Sequence, residues 1–310
     1  MPEIEVLTQA LTKLGESVLW DADTERLWWV DTLTGGIFRS THDGRELRVW
    51  MFPGIVTSLA LRSGGGALVT SRSRIHLFDL ESGDTELVHE VAPIDEGTFN
   101  FNDAVVDRQG RFVTALVDPA LSMPDAQALV GLREPRGAVM RVDPDLTVHE
   151  LGPCVGLSNG PCISPDGTTV YWGDSWSRVI HAYDYDPATG AVTGERALID
   201  FDADNPSDGP AAVPDGATVD AEGAIWVAAC HGGEVRRYAP DGTLDRRIPV
   251  PVSDPTSVAI GGPDLDTLYV TSMRGSPSSG EAADVGPLTG TILAVHGTGV
   301  RGLPETRFAG

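Results

Sequence analysis

The sequence predicts an all-β fold, a six-bladed β-propeller with four-stranded antiparallel blades, and three observations carry that prediction. Long helical periodicity is missing: short apolar runs rich in Val, Trp, Tyr and Thr alternate with Asp-Gly, Gly-Gly and Pro-containing turns, the pattern of many short antiparallel strands. Four such runs, at 17–20, 26–31, 36–40 and 46–51, fall within about 35 residues, the strand content of one blade. One phrase then recurs six times: a small or polar residue, a short strand, an Asp/Gly turn, and a strand carrying aromatic residues or Val.

In chain order the copies start with Gly15-Glu16-Ser17-Val18 before Leu27-Trp28-Trp29-Val30, then Val56-Thr57-Ser58-Leu59 before Ala67-Leu68-Val69-Thr70. Phe101-Asn102-Asp103-Ala104 precedes Arg111-Phe112-Val113-Thr114, and Ser158-Asn159-Gly160-Pro161 precedes Thr169-Val170-Tyr171-Trp172. The last two are Pro214-Asp215-Gly216-Ala217 before Ala224-Ile225-Trp226-Val227, and Pro255-Thr256-Ser257-Val258 before Thr267-Leu268-Tyr269-Val270. With Glu16, Ser58, Asn102, Asn159, Asp215 and Ser257 as register marks, the spacings are 42, 44, 57, 56 and 42 residues. The short intervals match a blade of roughly 40–50 residues, and the long ones a blade with an inserted loop. Residues 118–136 and 200–214, with a third stretch at 274–287, are the expected insertions and candidate substrate lids. The repeat runs through the chain without a linker, so 1–310 reads as one domain.

Composition bounds the partners. With 41% hydrophobic residues the chain can bury a sizeable core, and 36 Gly with 22 Pro in 310 residues make it turn-dense without reaching the disordered range. Twenty-two basic against 45 acidic residues leave a net charge of −23, which opposes a phosphate backbone or an anionic membrane; neither nucleic acid nor membrane is an expected partner. Most of that charge reads as a solvated surface. The start Met1-Pro2-Glu3 opens no signal-peptide pattern, and Cys154, Cys162 and Cys230 form no Cys-x-x-Cys pair; reduced thiols in a cytoplasmic protein are expected. A propeller closes its own sheet edges, which suits a monomer or small homo-oligomer.

The first strand of each blade lines the central channel, so the six register marks are expected to be neighbours in space. Two are carboxylates and two carboxamides, and such oxygen donors suit Ca²⁺, Mg²⁺ or Mn²⁺. Asn-Gly, Asn-Asp and Asp-Gly are also ordinary turn dipeptides, but Glu16 has no turn chemistry to explain it. Competing motifs fail on context. Gly156-Leu157-Ser158-Asn159-Gly160 has the G-x-S-x-G spacing, yet Pro161 and another strand follow where a nucleophile elbow needs a helix. Gly297-Thr298-Gly299-Val300-Arg301-Gly302 has too little chain after it for a dinucleotide-binding unit and reads as a C-terminal turn. Asp200-Phe201-Asp202-Ala203-Asp204 begins like an EF-hand loop but has Asn205 and Ala211 where Gly and Glu belong. The histidines show neither His-x-His nor His-Glu-x-x-His. His231 stands apart, because Cys230-His231-Gly232-Gly233 closes a hairpin of the Asp215 blade, either as an exposed turn residue or as a substrate-facing group.

Leu14-Gly15-Glu16-Ser17, Phe101-Asn102-Asp103, Ser158-Asn159-Gly160, Pro214-Asp215-Gly216 with Trp226-Val227-Ala228, and Pro255-Thr256-Ser257 with Leu268-Tyr269-Val270, in this order and spacing, resemble the gluconolactonase/regucalcin (senescence marker protein) family of six-bladed propellers. The resemblance covers nearly the whole chain. It implies one divalent metal ion (Ca²⁺, Zn²⁺, Mg²⁺, Mn²⁺ or Fe²⁺) bound by Glu16, Asn159 and Asp215, with Asn102 contacting substrate or a metal-bound water, and no organic cofactor. It also implies a small-molecule lactone as substrate, the metal polarising the ester carbonyl while Asp215 takes a proton from the attacking water. This chain departs from the family where many sugar lactonases carry Arg two residues before the Asn-Asp pair and Lys just after it: here stand Asn100 and Ala104. The lost cations at this substrate-facing position favour a smaller or less polar ring. Two alternatives stay open, a propeller that binds Ca²⁺ without turnover and a metal-dependent isomerase, hydratase or lyase acting on a carbonyl substrate.

Overall fold

Strands from β1 (Glu3–Thr8) to β24 (Ile292–His296) form six four-stranded antiparallel sheets set as blades around one channel. The computed structural model describes residues 2–91, 100–117, 137–153, 155–205, 211–274 and 286–310. Among these there is no helix, and none long and apolar enough to cross a membrane. Blade 1 consists of Gly15–Asp21, Arg26–Asp31, Gly36–Ser40 and Arg48–Met51, in that order from the channel outwards. Blades 2 to 5 repeat the arrangement. Blade 6 is built from both ends of the chain: its outermost strand is β1, which pairs with β24 from Glu3 against His296 to Thr8 against Ile292 and so closes the ring. The expected insertion at 118–136 lies outside the described residues, as do 206–210 of the second and 275–285 of the third.

The core is divided among the blade interfaces. Each sheet buries the alternate residues of its middle strands against the next sheet. Six clusters result, such as Trp28, Val30, Ile37, Leu59 and Val69 between blades 1 and 2, and Trp226, Val235, Val258 and Leu268 between blades 5 and 6. At the closure, the buried Trp20 of blade 1 stacks on Tyr269 of blade 6 with ring centroids 6.1 Å apart.

The ends of the channel differ. At the floor, the C-terminal segment crosses the turns between first and second strands: Ala221 N donates to Arg301 O, Phe308 N to Leu61 O and Ala309 N to Gly110 O. The fully buried Phe308 anchors this strap, and a cavity of about 100 Å³ lies between it and the inner strands. The mouth is where the inner strands begin, and there their pairing is interrupted. Register shifts fall between Glu16 and Leu19, Phe101 and Ala104, Asn159 and Cys162, Pro214 and Ala217, and Pro255 and Val258. Five of the six inner strands thus bulge at the register marks; Ser58–Leu61 of blade 2 pairs without a shift. A bulge breaks the strict alternation of a strand and re-aims side chains, here toward the axis.

Candidate metal centre at the channel mouth

Local chemistry supports the bulges of blades 1, 4, 5 and 6. Ser17, with φ of 49°, accepts a hydrogen bond on Oγ from Leu59 N of blade 2 at 3.0 Å, and Ser257 Oγ of blade 6 accepts one from Val18 N at 3.3 Å. Gly160 has φ of 52°, and a Cβ there would lie 2.5 Å from Asp215 O and 2.7 Å from Ala217 N. Only glycine lets blades 4 and 5 approach this closely. Gly216 plays the same part toward Ser257 Cα, which an added Cβ would meet at 2.7 Å.

The carboxamides form a fixed chain. Asn102 Nδ2 donates to Ser158 O at 2.7 Å and to Asn159 Oδ1 at 2.6 Å; Asn159 Nδ2 donates to Ser175 Oγ at 2.7 Å, and Ser175 Oγ to Pro214 O at 2.6 Å. Asn159 is therefore held at both ends, with one Oδ1 lone pair left for a further partner. Asn100 is the first residue of the inner strand of blade 3, half-buried two residues before Asn102.

Three carboxylates, Glu16, Asp103 and Asp215, act on one another electrostatically beside this chain. Burial first, then the negative charges of Asp215 and Asp103, push Glu16 well above the ordinary carboxylate range. Burial and Asp103 do the same to Asp215. Burial raises Asp103 to about 6, although Gly160 N donates to its Oδ2 at 2.9 Å. Desolvated like charges cannot all ionise together, and a nearby positive charge would favour their ionised forms. Glu16 Oε2 is buried without a hydrogen-bond partner among the described residues, a costly arrangement unless another group satisfies it. An orphaned carboxylate oxygen, all-oxygen donors and unbalanced negative charge fit a divalent cation held by Glu16, Asn159 and Asp215.

The structure adds residues outside the six register marks. Asp103 is the second half of the Asn-Asp pair; in a regular strand it would point away from Asn102, and only the bulge turns it inwards. The buried Cys230 has its Sγ 4.0 Å from His231 Nδ1, and burial followed by the charges of Asp215, Asp254 and Glu16 pushes its thiol well above the usual thiol range. His231, half-exposed on the hairpin of blade 5 with φ of 65°, brings Nδ1 within 2.6 Å of Asp254 Oδ1. One donor atom each from Cys230, His231 and Asp254 lies within 4.8 Å of the others. The Asp-Pro step at 254–255, leading into the last inner strand, was the available sequence signal for Asp254.

A family model described as the SMP-30/Gluconolactonase/LRE-like region matches residues 14–274. The chain is 33% identical over 301 residues to a 6-deoxy-6-sulfogluconolactonase of Pseudomonas putida, covering 96% of this chain and 95% of that one. It is also 33% identical over 310 residues to an L-arabinolactonase of Azospirillum brasilense, covering 98% and 95%. A solved structure described as a calcium-binding protein, regucalcin, from Agrobacterium tumefaciens superposes with a TM-score of 0.82 at 27% identity, covering 98% and 96%.

Proposed function

The chain belongs to the SMP-30/gluconolactonase/LRE-like family, and on that footing we propose that it is a divalent-metal-dependent hydrolase that opens the ring of a small lactone. The observation that carries this reading is Glu16 Oε2, buried without a partner among the described residues and set against Asp215 in a channel of oxygen donors. Two relatives named as lactonases, each aligned over nearly the whole chain, supply the substrate class.

When bound by Glu16, Asn159 and Asp215, the cation supplies Lewis-acid polarisation of the lactone carbonyl. The chain's own residues do the rest. Asp215 would use the carboxylate oxygen not given to the cation to take a proton from the attacking water. Asn102, with both amide hydrogens committed to blade 4, presents Oδ1 as a fixed acceptor for substrate or water. Asn100, neutral at the same edge, accepts a ring bearing fewer hydroxyls than a sugar acid lactone. No serine nucleophile and no organic cofactor enter the scheme.

Substitution tests the assignment. Glu16→Gln and Asp215→Asn, purified and folded by circular dichroism, are expected to lose at least about 10²-fold in lactone opening, and to bind the divalent cation more weakly by calorimetry. Wild-type turnover by either variant with metal binding intact rejects the mechanism. The regucalcin likeness favours one second reading, a Ca²⁺-binding propeller without turnover. Calorimetric Ca²⁺ binding with no acid release from any lactone would select it.

A further inference from the structure

Opening a lactone needs two proton transfers, and the scheme above assigns one. Once water has added to the carbonyl carbon, the ring oxygen must leave as an alkoxide, a poor leaving group unless a donor protonates it as the bond breaks. Two side chains on the Asp215 blade could donate: Cys230, a neighbour of Asp215, and His231, whose Nδ1 lies 4.0 Å from Cys230 Sγ. The Cys230 thiol is buried at 4% exposure and does not reach the open channel. That leaves His231.

We propose that His231 is the proton donor to the leaving ring oxygen and that Asp254 is its positioning residue; the inference rests on the lactone-hydrolase reading. Asp254, from the segment entering blade 6, is buried and held on three sides. Its Oδ1 meets His231 Nδ1 at 2.6 Å, its Oδ2 accepts from Ser253 Oγ at 2.7 Å, and its carbonyl accepts from Met273 N at 2.9 Å. Although burial raises the carboxyl's proton affinity, the hydrogen bonds from His231 and Ser253 outweigh it and keep Asp254 below the ordinary range, hence ionised. An ionised partner takes the Nδ1 hydrogen and leaves Nε2 as the nitrogen free for exchange. The His231 side chain is 37% exposed against 12% for Asp254, so the ring is open to solvent while its anchor stays buried.

The bond is more than a tie between blades. Blades 5 and 6 are already joined at this point by Gly233 N donating to Ser253 O at 3.0 Å. A non-glycine residue at φ of 65° is also strained, and the two following positions are glycines that would take that conformation at less cost. Among the described residues, the ionisable groups nearest the ring are Asp254 and Cys230, with Asp215 and Glu16 behind Cys230.

In the step, imidazolium Nε2–H passes its proton to the ring oxygen as the carbonyl carbon–ring oxygen bond breaks. The bonding pair stays on that oxygen, which becomes the product hydroxyl, and imidazole is left neutral. His231 regains a proton from solvent while Asp215 releases the one it took from water. One water is consumed, and the new acid ionises to a carboxylate and one proton.

Leaving-group dependence tests the assignment. The rates of wild type, His231→Gln and Asp254→Asn are compared on an unsubstituted aliphatic δ-lactone, whose leaving group is an alkoxide, and on dihydrocoumarin, whose phenolate leaves without help. His231→Gln is expected to lose about 10²–10⁴-fold in kcat on the aliphatic lactone and less than about tenfold on dihydrocoumarin, with the basic limb of the pH profile abolished. Asp254→Asn should show the same asymmetry with a smaller loss. Equal losses on both substrates, or no loss on the aliphatic one, overturn the proposal. If His231→Gln does not fold, His231→Asn replaces it, since Asn accepts a left-handed backbone. A wild type that opens neither lactone with any divalent cation defeats the lactone-hydrolase reading itself and this proposal with it; a turning-over wild type with an undiminished His231 variant defeats this proposal alone.

Discussion

Glu16 and Asp254 are both carboxylates near the mouth, yet their surroundings push them in opposite directions. Glu16 lacks a hydrogen-bonded partner on Oε2 among the described residues and is acted on by other anions, whereas Asp254 receives His231 and Ser253. A carboxyl whose pKa is depressed on folding adds stability above its unfolded value of about 3.9 and loses it as pH falls through the lower folded value. Asp254→Asn should therefore unfold in less denaturant than wild type at neutral pH, and the gap should close below about pH 4. A gap that persists unchanged into acid would show that the carboxylate's charge contributes nothing. At this scale the sequence was informative where turn chemistry failed: Glu16 sits in no turn dipeptide and so stood out. Asp103 and Asp254 did not, because both follow or precede residues with an ordinary turn explanation, and their facing depends on a bulge and on a partner 23 residues away.

Among the elements, the inner-strand bulges convert a repeat into a site. A strand sends neighbouring side chains to opposite faces, and five bulges at one level break that rule where five register marks stand. Gly160 is the tightest of them. Gly160→Ala places a methyl group 2.5 Å from Asp215 O at a left-handed φ, so it is expected to cost at least about 2 kcal/mol and to weaken divalent-cation binding by displacing Asp215. Thermal unfolding and calorimetry read the two effects separately, and native cation affinity in this variant would show that the bulge does not position the carboxylate. The strands themselves were legible as Val-, Trp- and Tyr-rich runs between turns; the bulges were not, since a register shift leaves residue types unchanged and depends on which atoms of two strands pair.

For the whole molecule, six copies of one phrase at 42 to 57 residues gave blade number and the convergence of the register marks. Ring closure was not legible in the same way. Glu3–Thr8 belongs to no repeat copy, and its pairing with β24 spans nearly the full chain. The C-terminal strap was likewise visible only as a turn. The net charge of −23 did not point to metal: most acidic residues serve turns or ion pairs such as Asp220 with Arg237 at 2.8 Å, and the candidate centre needs only the few that the bulges turn inwards. The most direct test follows from that centre. Protein stripped with a chelator is assayed by pH indicator on sugar and aliphatic lactones, before and after re-addition of Ca²⁺, Mg²⁺, Mn²⁺, Zn²⁺ or Fe²⁺. Acid release that disappears on stripping and returns with a divalent cation is the expected result; release at the same rate from the stripped protein would contradict a metal-dependent lactone hydrolase.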